Sequence, residues 1–216
     1  MPVVKILNIE KGKLGIWKFR ESSDDLQQFF RFTENEKAEF RCIKYENRKR
    51  EFLSVRLLLE QMLGKKCEIG YNSKRKPHLN DNPVFISISH SADLAVVLLS
   101  EKKAGVDAEN IKRNTEKVAK RFLADAEIND IRQSAQPNLQ RIIYWCAKEA
   151  AFKFSARPAI EFKSQINIDS FRLSNDGGIF TGKLSKDLPH IKLAFHYFFY
   201  ENNVVVYCVE VENFER

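Results

Sequence analysis

The chain has 216 residues, of which 44% are hydrophobic, 30% charged and 12% aromatic, a balance that excludes disorder as a description of the whole. Charges break every apolar run before the roughly 18 residues a membrane helix needs. The N-terminus has neither a signal-type apolar region nor a small-residue cleavage site. Formal net charge is +7, of which residues 1–105 carry +6 and residues 106–216 only +1. That asymmetry points to an anionic partner, unless it serves solubility alone.

Two short strands, 3–9 and 14–20, open the chain around a Lys-Gly-Lys turn. Residues 34–44 are predicted helical, with Thr33 and Glu36 in the pattern of a capping box. Residues 47–63 place Phe52, Val55, Leu58, Leu59 and Met62 at helical spacing, with Gly64 as the stop. A polar loop is expected over 71–82, holding Lys74, Arg75, Lys76 and Pro77. Strands are expected at 84–88 and 94–100, joined through Ser89-His90-Ser91, and another at 104–108.

The second block begins with helices at 115–123 and 125–133, Asp125 serving as a cap. A strong amphipathic helix follows over 138–155. Strands at 165–173, 178–184, 190–200 and 203–212 complete it, with Asn202-Asn203 in the last turn. Each half thus has a long helix followed by a hairpin. Cys42, Cys67, Cys146 and Cys208 lie far apart without C-x-x-C spacing. This argues against a zinc ribbon or disulfide framework and fits a reducing, cytoplasmic setting.

Four stretches carry chemistry. In Gly105-Val106-Asp107-Ala108-Glu109, strand alternation projects Asp107 and Glu109 to one side. Two carboxylates on one face repel unless a cation separates them, and oxygen ligands select a hard cation such as Mg²⁺. The plain alternative is a solvated strand end. In Trp145-Cys146-Ala147-Lys148-Glu149-Ala150-Ala151-Phe152-Lys153, Glu149 and Lys153 are helical neighbours. They form either a surface ion pair or a third acid at one metal beside a phosphate-facing lysine. His90, between Ser89 and Ser91, suits an anion. A Ser-His hydrolase lacks its G-x-S-x-G elbow. The basic residues Lys37, Arg41, Lys44, Arg48, Lys49, Arg50, Lys74, Arg75 and Lys76 are helix surface or anion site. No Walker or G-x-G-x-x-G loop occurs.

In that order, Lys76-Pro77, Ser87-Ile88-Ser89-His90-Ser91, Gly105 to Glu109 and Trp145 to Lys153 resemble the 4′-phosphopantetheinyl transferases, in particular the larger, surfactin-synthetase-activating type. The likeness runs from about Thr33 to Lys153, and Arg121-Phe122-Leu123 with Glu127 adds to it. It implies an α+β fold of two similar halves, 1–104 and 105–216, packed about a pseudo-twofold axis. It implies transfer of phosphopantetheine from coenzyme A to a serine of an apo acyl or peptidyl carrier protein. Asp107, Glu109 and Glu149 match the Mg²⁺ ligands, and Lys153 the lysine near the scissile pyrophosphate. Ser89, His90 and Lys76 match residues at the coenzyme A phosphates. Arg50, with Lys44 and Lys37, is similar to the group at the nucleotide 3′-phosphate. Arg75 replaces the glycine often found before Lys-Pro. The resemblance implies a cytoplasmic monomer with no nucleic-acid or membrane partner. The competing expectation is a Mg²⁺-dependent nuclease or nucleic-acid-binding protein, given pI ≈ 9.2. Against it, Lys148-Glu149 has the wrong order for an E-x-K site.

Overall fold

The computed structural model describes residues 4–80, 82–157, 159–185 and 190–211, so the outermost residues of the expected first and last strands, 3 and 212, lie outside it. In chain order the first half contains β1 (Val4–Ile9), β2 (Gly12–Lys18), α1 (Ser23–Gln27), α2 (Glu34–Cys42) and α3 (Glu46–Leu63). It continues with β3 (Ile69–Tyr71), β4 (Pro77–Leu79), β5 (Phe85–His90) and β6 (Leu94–Ser100). Then come β7 (Ala104–Asn110), α4 (Ala119–Phe122), α5 (Asp125–Gln133), α6 (Pro137–Ser155) and α7 (Phe162–Gln165). The chain closes with β8 (Ile166–Ile168), β9 (Gly178–Leu184), β10 (Ile191–Tyr200) and β11 (Asn203–Glu210).

Local chemistry sets the boundaries. The Thr33 hydroxyl accepts from the Glu36 amide while the Glu36 carboxylate accepts from the Thr33 amide, a capping box that starts α2. Gly64, at φ 67°, ends α3 in the left-handed conformation that glycine adopts without penalty. Pro137 stands at the first turn of α6, where its missing N–H costs nothing.

The strands form one antiparallel sheet of order β1-β2-β6-β5, a second of order β7-β11-β10-β9-β8, and a β3-β4 hairpin. Alternation along β6 shows how the layers stack. Ala95, Val97 and Leu99 join the core under α3, with Trp17, Leu53, Leu58 and Leu59. Leu94, Val96 and Leu98 face the other way and meet Val106, Ala108 and Val205 between the two sheets. A third core lies between the second sheet and α6, where the Phe180 ring stacks on Phe171 and Phe195. The protein is therefore α+β, in the layer order α3, sheet, sheet, α6. No helix among the described residues is long and apolar enough to cross a membrane.

Four sequence expectations need correction. The stretch 71–82 is not all loop, because Tyr71 pairs with Pro77 and Ile69 with Leu79. Ser89 and His90 belong to β5 itself, paired with Val96 and Ala95, so the turn starts only at Ser91. Asp125 is the first residue of α5, not its cap. The cap position is Ala124, whose amide donates to Glu127. The expected strand 165–173 stops at Ile168, and Phe171 instead packs its ring on Phe180.

Candidate active site

The site is built on the line where the two sheets meet. β5 and β7 run side by side, and among the described residues no backbone ladder joins them. Serine hydroxyls do the joining. The Val106 amide donates to Ser87 Oγ (3.1 Å) and the Ala108 amide to Ser89 Oγ (3.3 Å). Since Val106 and Ala108 point between the sheets, strand alternation turns Asp107 to the α6 side. Gly105 allows that approach. A Cβ there would sit 2.0 Å from the Ala150 carbonyl oxygen and 2.8 Å from the Phe154 nitrogen, so only glycine lets β7 close on α6.

Asp107 is 6% exposed. Its Oδ1 accepts from Ser89 Oγ (2.7 Å) and from Lys153 Nζ (2.8 Å), and Lys153 also donates to the Val106 carbonyl (3.0 Å). Its Oδ2 is buried with no hydrogen-bond partner. Glu149 lies one helical turn before Lys153. Its carboxyl is pushed up to about 7, first by burial and then by the Asp107 charge, against the pull of Lys153 and Arg113. The Cys146 thiol is fully buried beside Asp107, and burial holds it protonated. Lys153 thus pairs with Asp107, and the simple Glu149–Lys153 surface pair does not form. Glu109 pairs instead with Arg113, which reaches back from the turn after β7.

Two cavities open beside this cluster, sharing Tyr71, Ile88 and His90. One, of about 490 Å³, is lined by Lys44, Tyr45, Arg48 and Glu51 among others. The other, of about 360 Å³, has Lys74, Arg75, Lys76, Lys153 and Arg157 around an apolar floor of Ile86, Ile88 and Phe152. Both fall in the size range of small-molecule sites. The second is lined by cations and no carboxylate, which suits a ligand with phosphates and a flat apolar group. Burial and the Lys103 charge depress the Lys76 ammonium. Burial likewise depresses the His90 imidazole, with Lys153 and Arg48 adding to the effect against Glu51. His90 is therefore neutral near pH 7, and its 4.0 Å approach to Glu51 is not an ion pair there.

The structure thus gathers Ser89, His90, Asp107, Glu149 and Lys153 at one place, with Lys44 and Lys76 on the cavity walls. Arg50 lines neither cavity. It stacks on Phe19, 4.8 Å from the ring centre, and donates to Asn47. Lys37 is exposed on α2. Two residues apart on a helix is 200° of rotation, so Arg48 rather than Arg50 faces the first cavity. A readable signal was present: Arg48 lies four residues before Phe52 and extends the buried face of α3. Arg113 and Arg157 had no such signal, because both stand outside regular elements.

Residues 103–208 match the family model described as the 4′-phosphopantetheinyl transferase superfamily. That stretch, the second half of the chain, is a domain of that superfamily. A Bacillus subtilis protein named 4′-phosphopantetheinyl transferase is 30% identical over 116 residues, which are 51% of this chain and 49% of that protein. The chain thus spans about half the length of the curated relative it matches. The matched superfamily region contains Asp107, Glu109, Glu149 and Lys153 but not the walls formed by Lys44 and Lys76.

The clustered carboxyls raise the question of a divalent cation. The buried, unpartnered Asp107 Oδ2 and the raised Glu149 carboxyl both fit one, since a nearby cation would satisfy the first and ionise the second. Among the described residues no group of three acidic, His or Cys side chains is arranged to hold a metal. Glu109, the third acid of the expected set, is engaged by Arg113.

Proposed function

We propose that this protein transfers the 4′-phosphopantetheine group of coenzyme A to a serine hydroxyl of an apo acyl or peptidyl carrier protein, releasing adenosine 3′,5′-bisphosphate. The observation that carries the proposal is the junction itself. A carboxylate and lysine network, Ser89–Asp107–Lys153 with Glu149, stands at the rim of a cavity walled by cations. The superfamily match and the named relative support it.

In this reading Asp107, Glu109 and Glu149 would hold Mg²⁺, which would supply Lewis-acid chemistry and charge neutralisation at the pyrophosphate. The chain's own residues position and move protons, as phosphoryl transfer chiefly requires. Lys76, His90 and the first-cavity residues Lys44 and Arg48 orient the anionic donor. Arg50, assigned to the 3′-phosphate by resemblance, would have to leave Phe19 to join them. The serine oxygen attacks the phosphorus that carries the pantetheine. The bond from that phosphorus to the bridging oxygen breaks, and its electron pair leaves with the bisphosphate. Glu149 takes the serine proton, directly or through a water, and Lys153 stabilises the leaving phosphate. The same reading takes 1–104 and 105–216 as two like halves about a pseudo-twofold axis, and the protein as a cytoplasmic monomer needing no nucleic acid or membrane.

The test is intact-protein mass spectrometry of apo carrier proteins, fatty-acid and peptide types alike, incubated with this protein and coenzyme A, with and without Mg²⁺. Gain of one phosphopantetheinyl group only with Mg²⁺ is the expected result. No gain on any carrier would overturn the activity, and gain without Mg²⁺ would overturn the metal.

A further inference from the structure

The turn after β7 brings a cation back onto the acidic cluster. The Asn110 side chain accepts from the Lys112 amide (2.9 Å), and the Arg113 amide donates to the Asn110 carbonyl (2.9 Å). The Ile111 amide is tied to the Asn202 carbonyl (2.9 Å), so the turn is anchored to the β10–β11 hairpin. The result is an ion pair between Arg113 and Glu109, whose side chains are 46% and 14% exposed. The guanidinium also stands 5.4 Å from the centre of the Trp145 ring, on α6 one turn before Glu149. Its charge is felt at Glu149 as well. Asp107 meanwhile has its own resident cation in Lys153.

Each acid of the cluster therefore has an internal positive charge near it, and the charge at Glu109 is the one that is half exposed and held by a turn. We propose that Arg113 is the resting counter-ion of this site and competes with the divalent cation for Glu109. Binding of the metal breaks the Arg113–Glu109 pair, and the guanidinium stays over the face of Trp145, where a cation is attracted by the ring. Arg113 is thus a positioning residue that sets the threshold of divalent concentration at which the site assembles. The inference rests on the proposed metal site, but it concerns a residue that lines neither cavity.

The experiment is a Mn²⁺ titration of the full chain, reading free Mn²⁺ by its electron paramagnetic resonance signal. Arg113→Gln should bind Mn²⁺ about tenfold more tightly than the unmodified protein, the scale expected for removing one like charge at short range. Arg113→Lys, which keeps the charge, should stay within about threefold under the same reasoning. Asp107→Asn combined with Arg113→Gln should lose the gain. Equal or weaker Mn²⁺ binding by Arg113→Gln, beside intact binding by the unmodified protein, overturns this inference alone. A gain that survives Asp107→Asn places it at another site and overturns it too. Absence of Mn²⁺ binding in every form removes the proposed metal site and this inference together. Thermal melting of Arg113→Gln in chelator, expected within a few degrees of the parent for a partly exposed pair, separates loss of folding from loss of competition.

Discussion

α3 and α6 solve the same packing problem with the same device. Each lies on a sheet and buries one cation, Arg56 on α3 and Lys148 on α6, at 4% and 0% exposure. Each cation meets a glutamate that also caps the helix before it. Glu36 caps α2 and pairs with Arg56 (3.3 Å), and Glu127 caps α5 and pairs with Lys148 (2.8 Å). What differs is how completely the two pairs are closed. Lys148 spends its remaining bonds on the Phe162 and Ile166 carbonyls, while Glu127 also accepts from the Ile168 amide (3.0 Å), so α5, α6, α7 and β8 share one fully buried knot. Arg56 stands over the Phe52 ring, 3.3 Å from its centre, shares Glu36 with Lys66, and reaches the half-exposed Glu39. The α6 pair fixes the helix that carries Glu149 and Lys153. The α3 pair stands in the wall of the first cavity, which Arg48, Glu51, Phe52, Val55 and Arg56 line from that helix.

Breaking the two pairs should make that contrast measurable. Lys148→Ala leaves Glu127 buried without a counter-charge and should cost about 3–5 kcal/mol in chemical denaturation. Lys148→Met, which keeps the volume, should recover part of it. Arg56→Ala should cost about half as much on the same argument, since Lys66 still serves Glu36. Equal losses would show that the difference in closure has no energetic consequence.

A smaller effect tests the charge that α6 carries toward β7. Glu149 has an ordinary value of 4.5, raised in the fold to about 7. Between those values the folded chain holds a proton that the unfolded chain has released, so stability falls as pH rises from 4.5 to 7. For metal-free protein the fall is at most about 3 kcal/mol by linkage. Glu149→Gln should flatten that slope in chelator. An unchanged slope would assign it to other groups.

The smallest change sharpens the picture on the α3 side of the cavities. Arg75 adopts φ 58°, the left-handed region that L-residues with a Cβ adopt at a cost. This is the position where glycine often precedes Lys-Pro in the family the sequence resembles. Arg75→Gly should raise stability by about 1 kcal/mol while weakening the proposed binding of coenzyme A, because the cavity loses a cation. Weaker stability would mean the arginine side chain contributes more to the fold than its backbone costs.

Much of this was legible in the sequence because periodicity reports faces. Alternation in β7 correctly aimed Asp107, and helical spacing delimited α3 and α6 to within a residue. The β3–β4 hairpin was hidden because three-residue strands, one beginning at Pro77, leave no period to read. Lys148 drew no notice as a buried group because its partner, Glu127, lies 21 positions earlier in another helix. Arg50 stood out beside Arg48 and Lys49 only as charge, whereas the cavity selects by rotation around the helix. Arg113 was unreadable for a related reason: a four-residue turn, not a helix, brings it back to Glu109.

The serine seam between β5 and β7 has a dynamic consequence. A backbone ladder along that line would lock the two sheets into one, but among the described residues hydroxyls on single rotatable bonds hold it, at Ser87 and Ser89. The amides of Val106 and Ala108 are consequently gauges of how often the seam parts. Their hydrogen-exchange rates, compared with those of neighbouring amides in the β7–β11 ladder, report the breathing of the two sheets at the very line where Asp107 is mounted.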